Sequence, residues 1–163
     1  MDPKEQSKTH FEQVGVDIGQ GRYHEEMVYG ISLVYTEMFN EITVYLKKLG
    51  LTPTQMNALM LIKHQGKEEG LSQVDIGRRM MASAHNITRL LQRFQKQGFV
   101  ERVTHQKDGR VTMVKITPKG SLLLDEVWPG YDQKLKDIAG RIPVEDQKIF
   151  SGLIQKWLSS KKN

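Results

Sequence analysis

Asn86, Arg89, Arg93 and Lys96 recur at spacings of three and four, flanked by His85, Thr88 and Gln92, with no acidic residue among them. On a helix that spacing gathers the four on one side. Asn presents a donor and an acceptor that fit the adenine edge, and Arg a two-donor fork that fits guanine, each worth about 1–3 kcal/mol of discrimination. Ser83, Thr88 and Lys96 suit phosphate oxygens, contacts that fix position without specifying sequence. A second cationic group, Arg102, Lys107, Arg110 and Lys115, surrounds the turn at Asp108-Gly109. Arg110, at the tip of such a turn, suits the negative potential of a minor groove. Asp108 does not suit a phosphate; it is expected to pair with Arg110 or to cap the turn and so direct the arginine. The chemistry these residues offer is non-covalent recognition of a duplex.

Two helices and a hairpin must hold these groups. Ser72 and Asp75 have capping-box spacing and open a short helix, in which Gly77 is expected to mark a close packing contact. A turn at 80–82 leads to Ser83, the N-cap of a helix running to Gln97, with Gly98 as a left-handed C-cap. The core side of that helix is Ile87, Leu90, Leu91 and Phe94, opposite the polar row. Two β-prone runs, 99–104 and 111–116, follow as a hairpin. Before this segment, residues 22–48 show an apolar stripe from Met27 to Leu46 ending near Gly50. Thr52-Pro53-Thr54-Gln55 then carries an N-cap, a first-turn proline and a capping box, ahead of the apolar Met56, Leu59, Met60 and Ile62. Thr117-Pro118 repeats the cap-then-proline start; Pro129-Gly130 is expected to kink or break the helix that follows, with a further stretch to about Ala139. A last helix starts at Pro143 and carries Ile149, Leu153, Ile154, Trp157 and Leu158.

Composition narrows the class. With 38% hydrophobic and 26% charged residues in 163, the chain resembles an ordinary globular protein. No apolar run approaches the ~18 residues that span a bilayer, and the first residues lack the basic and apolar blocks of a secretory leader, so a cytoplasmic protein with no membrane partner is expected. There is no cysteine, hence no disulfide, thiolate nucleophile or thiol switch. The net charge is +5, yet residues 51–120 hold 12 Lys/Arg against 5 Asp/Glu while the remainder holds 12 against 14. The basic excess therefore lies in the segment with the paired helices and hairpin, as a polyanion partner requires.

Other chemistries lack their residues. The histidines His10, His24, His64, His85 and His105 show no HExxH spacing, and His24-Glu25-Glu26 reads as a solvated helix start; no metal and no cofactor is expected. The glycines of 15–21 follow no strand and have the wrong spacing for a dinucleotide loop, and no G-x-S-x-G or phosphate loop occurs. Nothing argues for an enzyme. The wide apolar faces near both ends, with Trp128, Tyr131 and Trp157, either cover the central core or form an interface with a second copy; a homodimer would set two reading helices one duplex turn apart, about 34–36 Å.

The order of motifs resembles the multiple-antibiotic-resistance regulator (MarR) family. The resemblance rests on Leu51-Thr52 and Gln55, then Leu71-Ser72-Gln73 and Ile76-Gly77. It continues through Ser83, Thr88-Arg89, Phe94 and Gly98-Phe99-Val100-Glu101-Arg102, to the turn Asp108-Gly109-Arg110 and Ile116-Thr117-Pro118-Lys119-Gly120. It implies a mainly α fold with a small β-hairpin wing, a winged helix-turn-helix with N- and C-terminal dimerisation helices. Residues 1–20 would be a flexible arm, 21–50 the N-terminal dimerisation helix, 51–120 the DNA-binding domain and 121–163 the C-terminal dimerisation helices. The implied partners are double-stranded DNA, carrying a pseudo-palindromic operator, and a second copy of the chain, with repression the usual outcome. Ser83, His85, Asn86, Thr88, Arg89, Arg93 and Lys96 would face the major groove and Lys107, Asp108 and Arg110 the minor groove. Many relatives release DNA when a small aromatic acid binds near the dimerisation helices; here Tyr29, Tyr35, Met38, Met56 and Met60 would be the contacts. Met81 stands in the interhelical turn where a glycine is common, so a differently shaped turn is expected. The alternative is a winged-helix protein-interaction module that binds no DNA.

Overall fold

Apolar residues at helical spacing, ended by caps, account for most of the architecture. In a computed structural model the described residues are 10–12, 14–66, 68–105 and 109–160. They form α1 (Tyr23–Lys48), α2 (Pro53–Gln65), β1 (Leu71–Ser72), α3 (Gln73–Arg79), α4 (Ala84–Gln97), β2 (Val100–Thr104), β3 (Thr112–Ile116), α5 (Pro118–Ala139) and α6 (Val144–Ser159). The chain divides into two compact units, Met1–Lys48 and Leu49–Asn163.

In the first unit, α1 has Glu25 and Glu26 in its first turn and Lys47 and Lys48 in its last, matching charge to the helix dipole at both ends. The described part of the segment 1–20 docks onto this helix: Val16 is buried, and the Gly19 amide donates to Glu26 Oε1 at 3.0 Å. Residues 1–9 and Gln13, the remainder of the expected flexible arm, lie outside the described residues. Tyr23, Met27, Val28, Ile31, Val34 and Tyr35 are all exposed along α1.

The second unit is a winged helix. Thr52 caps α2 through its side chain, and Gln55 closes the box by accepting from the Thr52 amide at 2.8 Å. The core joins Met56, Leu59 and Ile62 of α2, Ile76 of α3, Ile87, Leu91 and Phe94 of α4, and Leu124 and Val127 of α5, all buried. Lys63 and Asp125 form an ion pair at 2.5 Å that ties α2 to α5.

The sheet has three strands where the sequence predicts two. Its order is β1-β3-β2, antiparallel throughout, with Leu71 opposite Val114 on one side of β3 and Arg102 opposite Val114 on the other. Two residues are too few to show period-2 alternation, but they give β3 a partner on each side and let Leu71 join Val114 in the core.

Three local expectations change. Helix α5 runs from Pro118 to Ala139 without interruption at Pro129. A proline removes one helical donor, and the buried Leu124, Val127 and Ile138 on either side hold the helix together across the gap. A Cβ at Gly77 would lie 3.6 Å from Ala82 O and Ile87 Cγ1, ordinary contact, so the close approach predicted for that glycine is absent. Met81, by contrast, keeps the turn that a glycine would make: its φ is 50°, and its side chain is 95% exposed.

The junction after α4 is closely packed. Gly98 ends α4 in the left-handed region at φ 73°. Thr117 donates through Oγ1 to Gly98 O at 2.7 Å and through its amide to Phe99 O at 3.0 Å, and its hydroxyl accepts from the Gly120 amide at 3.1 Å. A Cβ on Gly120 would overlap the Phe99 carbonyl oxygen and lie 2.9 Å from Ile116 Cδ1.

Two substitutions test these points by urea denaturation. Gly120→Ala should cost about 2 kcal/mol or more, since backbone rather than a flexible side-chain tip must give way. Met81→Gly should raise stability by about 0.5–1 kcal/mol, because the left-handed strain is relieved and an exposed side chain has no packing to lose. An unchanged midpoint for Gly120→Ala, or a lowered one for Met81→Gly, would contradict the respective account.

Candidate nucleic-acid interface

Helix α4 sorts its side chains by face. Ile87, Leu91 and Phe94 are buried and Leu90 is half-buried, which fixes the roll of the helix about its axis. The opposite side then carries His85, Asn86, Arg89, Gln92, Arg93 and Lys96, all exposed. Ser83 caps the helix, its Oγ accepting from the Asn86 amide at 3.4 Å. No acidic residue occupies the first turn, so the positive end of the helix dipole is not neutralised from within the helix. At the other end Lys119 donates to Gln97 O at 2.9 Å and sits 5.4 Å from the centre of the Phe99 ring, capping the C-terminal carbonyls with a cation.

Thr88 behaves differently from its neighbours. It is half-buried, its hydroxyl donates to Ala84 O at 2.8 Å and accepts from Gln73 Nε2 at 2.9 Å. The single proton it could offer a phosphate is thus directed into its own helix. Arg102, counted with the cations around the hairpin turn, is also turned inward: its Nη2 donates to Gln73 Oε1 at 2.9 Å. Neither orientation follows from the sequence spacing, because both depend on Gln73, a residue of another helix.

The wing is the β2–β3 hairpin. The His105 amide donates to Val111 O at 2.9 Å and closes the loop at its base, and Arg110 is exposed just before β3. Lys107 and Asp108, and with them the expected Asp108–Arg110 pairing, lie outside the described residues. Lys115 stands opposite Glu101 across the two strands.

The five residues considered for an effector are distributed over both units. Tyr29, Tyr35 and Met38 lie on α1, with Tyr35 stacked on Phe39 at 5.6 Å between ring centres; Met56 and Met60 lie on α2, the former fully buried. Among the described residues no cluster of three or more His, Cys, Asp or Glu could hold a metal ion, and no helix is long and apolar enough to cross a membrane.

Comparison with known proteins converges on one family. Residues 49–111 match the model of the MarR family. The chain is 24% identical over 126 residues to the transcriptional regulator MhqR of Bacillus subtilis, spanning 77% of this chain and 85% of that protein. It is 34% identical over 107 residues to YfiV, a helix-turn-helix transcriptional regulator of the same organism, spanning 65% of each. Among solved structures, a MarR-like regulator of Bacillus cereus superposes with a TM-score of 0.74 at 22% identity, covering 87% of this chain and all of that one (100%). The Staphylococcus aureus MepR–DNA complex gives 0.72 at 20% identity, covering 82% and 96%. A mutant MarR of Escherichia coli with operator DNA gives 0.71 at 22%, covering 91% and 97%. Likenesses at that identity establish the winged-helix fold. The matched segment 49–111 contains α2 through the wing, and the aligned relatives are transcriptional regulators rather than enzymes. Over that segment the chain resembles the MarR family, and its fold is the winged helix of the family's solved members.

Proposed function

We propose that this DNA-binding transcriptional regulator acts as a homodimeric repressor, placing α4 of each protomer in successive major grooves of a pseudo-palindromic operator in the cytoplasm. The observation that carries the reading is the exposed, acid-free face of α4, backed by a buried face that holds it in one orientation. Asn86, Arg89 and Arg93 read base edges, while Ser83, His85 and Lys96 hold the backbone. The wing, through Lys107, Asp108 and Arg110, approaches the minor groove. MepR and MarR solved on DNA share this fold, which supports the same use of it here.

The second copy is supported by α6. None of its residues is buried, although Val144, Ile149, Phe150, Leu153, Ile154, Trp157 and Leu158 are all large and apolar. Monomeric proteins rarely leave so continuous an apolar face in water. An aromatic effector is a further part of the proposal; Tyr29, Tyr35, Met38, Met56 and Met60 are its candidate contacts. A protein-interaction module without DNA binding is the competing reading, and the acid-free face of α4 disfavours it.

Fluorescence anisotropy with duplexes selected from a random library separates these readings. Affinity should fall linearly in log–log form with salt, by about 0.9 per phosphate neutralised. Asn86→Ala or Arg89→Ala should cost about 1–3 kcal/mol and relax preference at one base pair, whereas Arg110→Ala should weaken all duplexes. Absence of salt-dependent binding to any duplex would favour the interaction module. For assembly, light scattering at micromolar concentration should give twice the chain mass, and Leu153→Glu should return it to one; a monomeric parent protein would remove the dimer from the proposal.

A further inference from the structure

We infer that Gln73 is a positioning residue that locks the wing to the first turns of α4, so that the two DNA-contacting elements act as one rigid reader. The inference rests on the DNA-reading function proposed above. Gln73 is the first residue of α3, directly after the N-cap Ser72, whose backbone pairs with Met113 of β3. It is therefore anchored in the sheet at the point where the sheet meets the helix pair. Its side chain accepts from Arg102 Nη2 at 2.9 Å and donates to Thr88 Oγ1 at 2.9 Å, and Thr88 donates onward to Ala84 O at 2.8 Å.

The direction of this relay is forced. Arginine has no acceptor, so the Gln73 carbonyl oxygen must face Arg102 and its NH2 must face Thr88. Thr88 then accepts, and its one proton can go only outward from that bond, to Ala84 O. A glutamate at 73 would instead compete for the Thr88 proton and loosen it from the helix. Arg102 lies midway along β2, the strand that leads into the wing, and residues 84 and 88 bracket Asn86 on the reading helix. Gln73 is half-buried, as are Arg102 and Thr88. Arg102 Nε is buried with no hydrogen-bond partner among the described residues. The guanidinium is thus incompletely satisfied already, and losing its bond to Gln73 leaves a further donor uncompensated.

The side-chain bonds of Gln73 go to Thr88 and Arg102, so its effect on Asn86 and Arg89 is carried through the geometry of α4. The test uses the full-length protein and its selected duplex, with thermal unfolding to show that each variant folds. Gln73→Leu should lower specific affinity about tenfold while leaving the salt slope unchanged, because no phosphate contact is removed. In that background Arg110→Ala should cost several-fold less than in the parent, since the wing is no longer held in phase with α4. Thr88→Val keeps the shape without the hydroxyl and should match Gln73→Leu in both lost affinity and unchanged salt slope. Parent-like binding by Thr88→Val, an undiminished cost of Arg110→Ala, or a reduced salt slope in Gln73→Leu would overturn the inference. If the parent binds no duplex at all, it is the DNA-reading function that fails. The relay is then judged by amide hydrogen exchange, which should rise several-fold across residues 84–88 in Gln73→Leu; unchanged exchange would overturn it.

Discussion

Helix α4 is held at its C-terminal end by Thr117 and Lys119. Thr117 bonds the carbonyls of Gly98 and Phe99 and receives the Gly120 amide, so the end of α4, the start of β2 and the start of α5 meet within a few ångströms. Gly120 permits that approach because it has no side chain to collide with Phe99. With the end pinned, the roll of α4 is decided by Ile87, Leu91 and Phe94 in the core. The polar row on the far side needs no further device to face outward. Its orientation follows from where the apolar residues go.

This division of labour explains which parts of the molecule could be read in the sequence. Capping is local chemistry: Thr52 with Gln55, Ser72 with Asp75, Ser83, Gly98 and Thr117 all act within three or four residues, and each appears where its spacing predicts. The core and exposed sides of α4 are also local, since both follow from a period of 3.6. The pairing of Leu71–Ser72 with β3 spans some forty residues and leaves no mark in so short a strand. Pro129 does not break α5 for a related reason: a proline's effect on a helix comes from its own covalent structure, while the apolar contacts that keep α5 continuous come from elsewhere in the fold.

Charge illustrates the same limit. The basic excess of residues 51–120 falls in the segment that carries α4 and the wing, but a tally treats every cation alike. Arg102 faces Gln73, Lys63 is paired with Asp125, and Lys119 caps α4, so three of those cations serve the fold. Arg89, Arg93 and Lys96 remain on the exposed face. The sign of the segment was legible in composition; which charges point outward depended on tertiary partners. Thr88 is the polar counterpart, with a side chain suited to a phosphate by type and directed inward by its neighbours.

Helix α6 has a different standing from the other elements. It spans 16 residues, has no side-chain cap, and none of its residues is buried among the described residues. Isolated helices of about that length are marginal in water, because nucleation is costly and little packing offsets it. In a lone chain α6 would therefore be the first element to open, well below the free energy of global unfolding. Whatever covers its apolar face works as a folding ligand, and its helicity becomes a function of concentration. Under the proposed dimerisation, dilution would expose this weakness before heat or denaturant does.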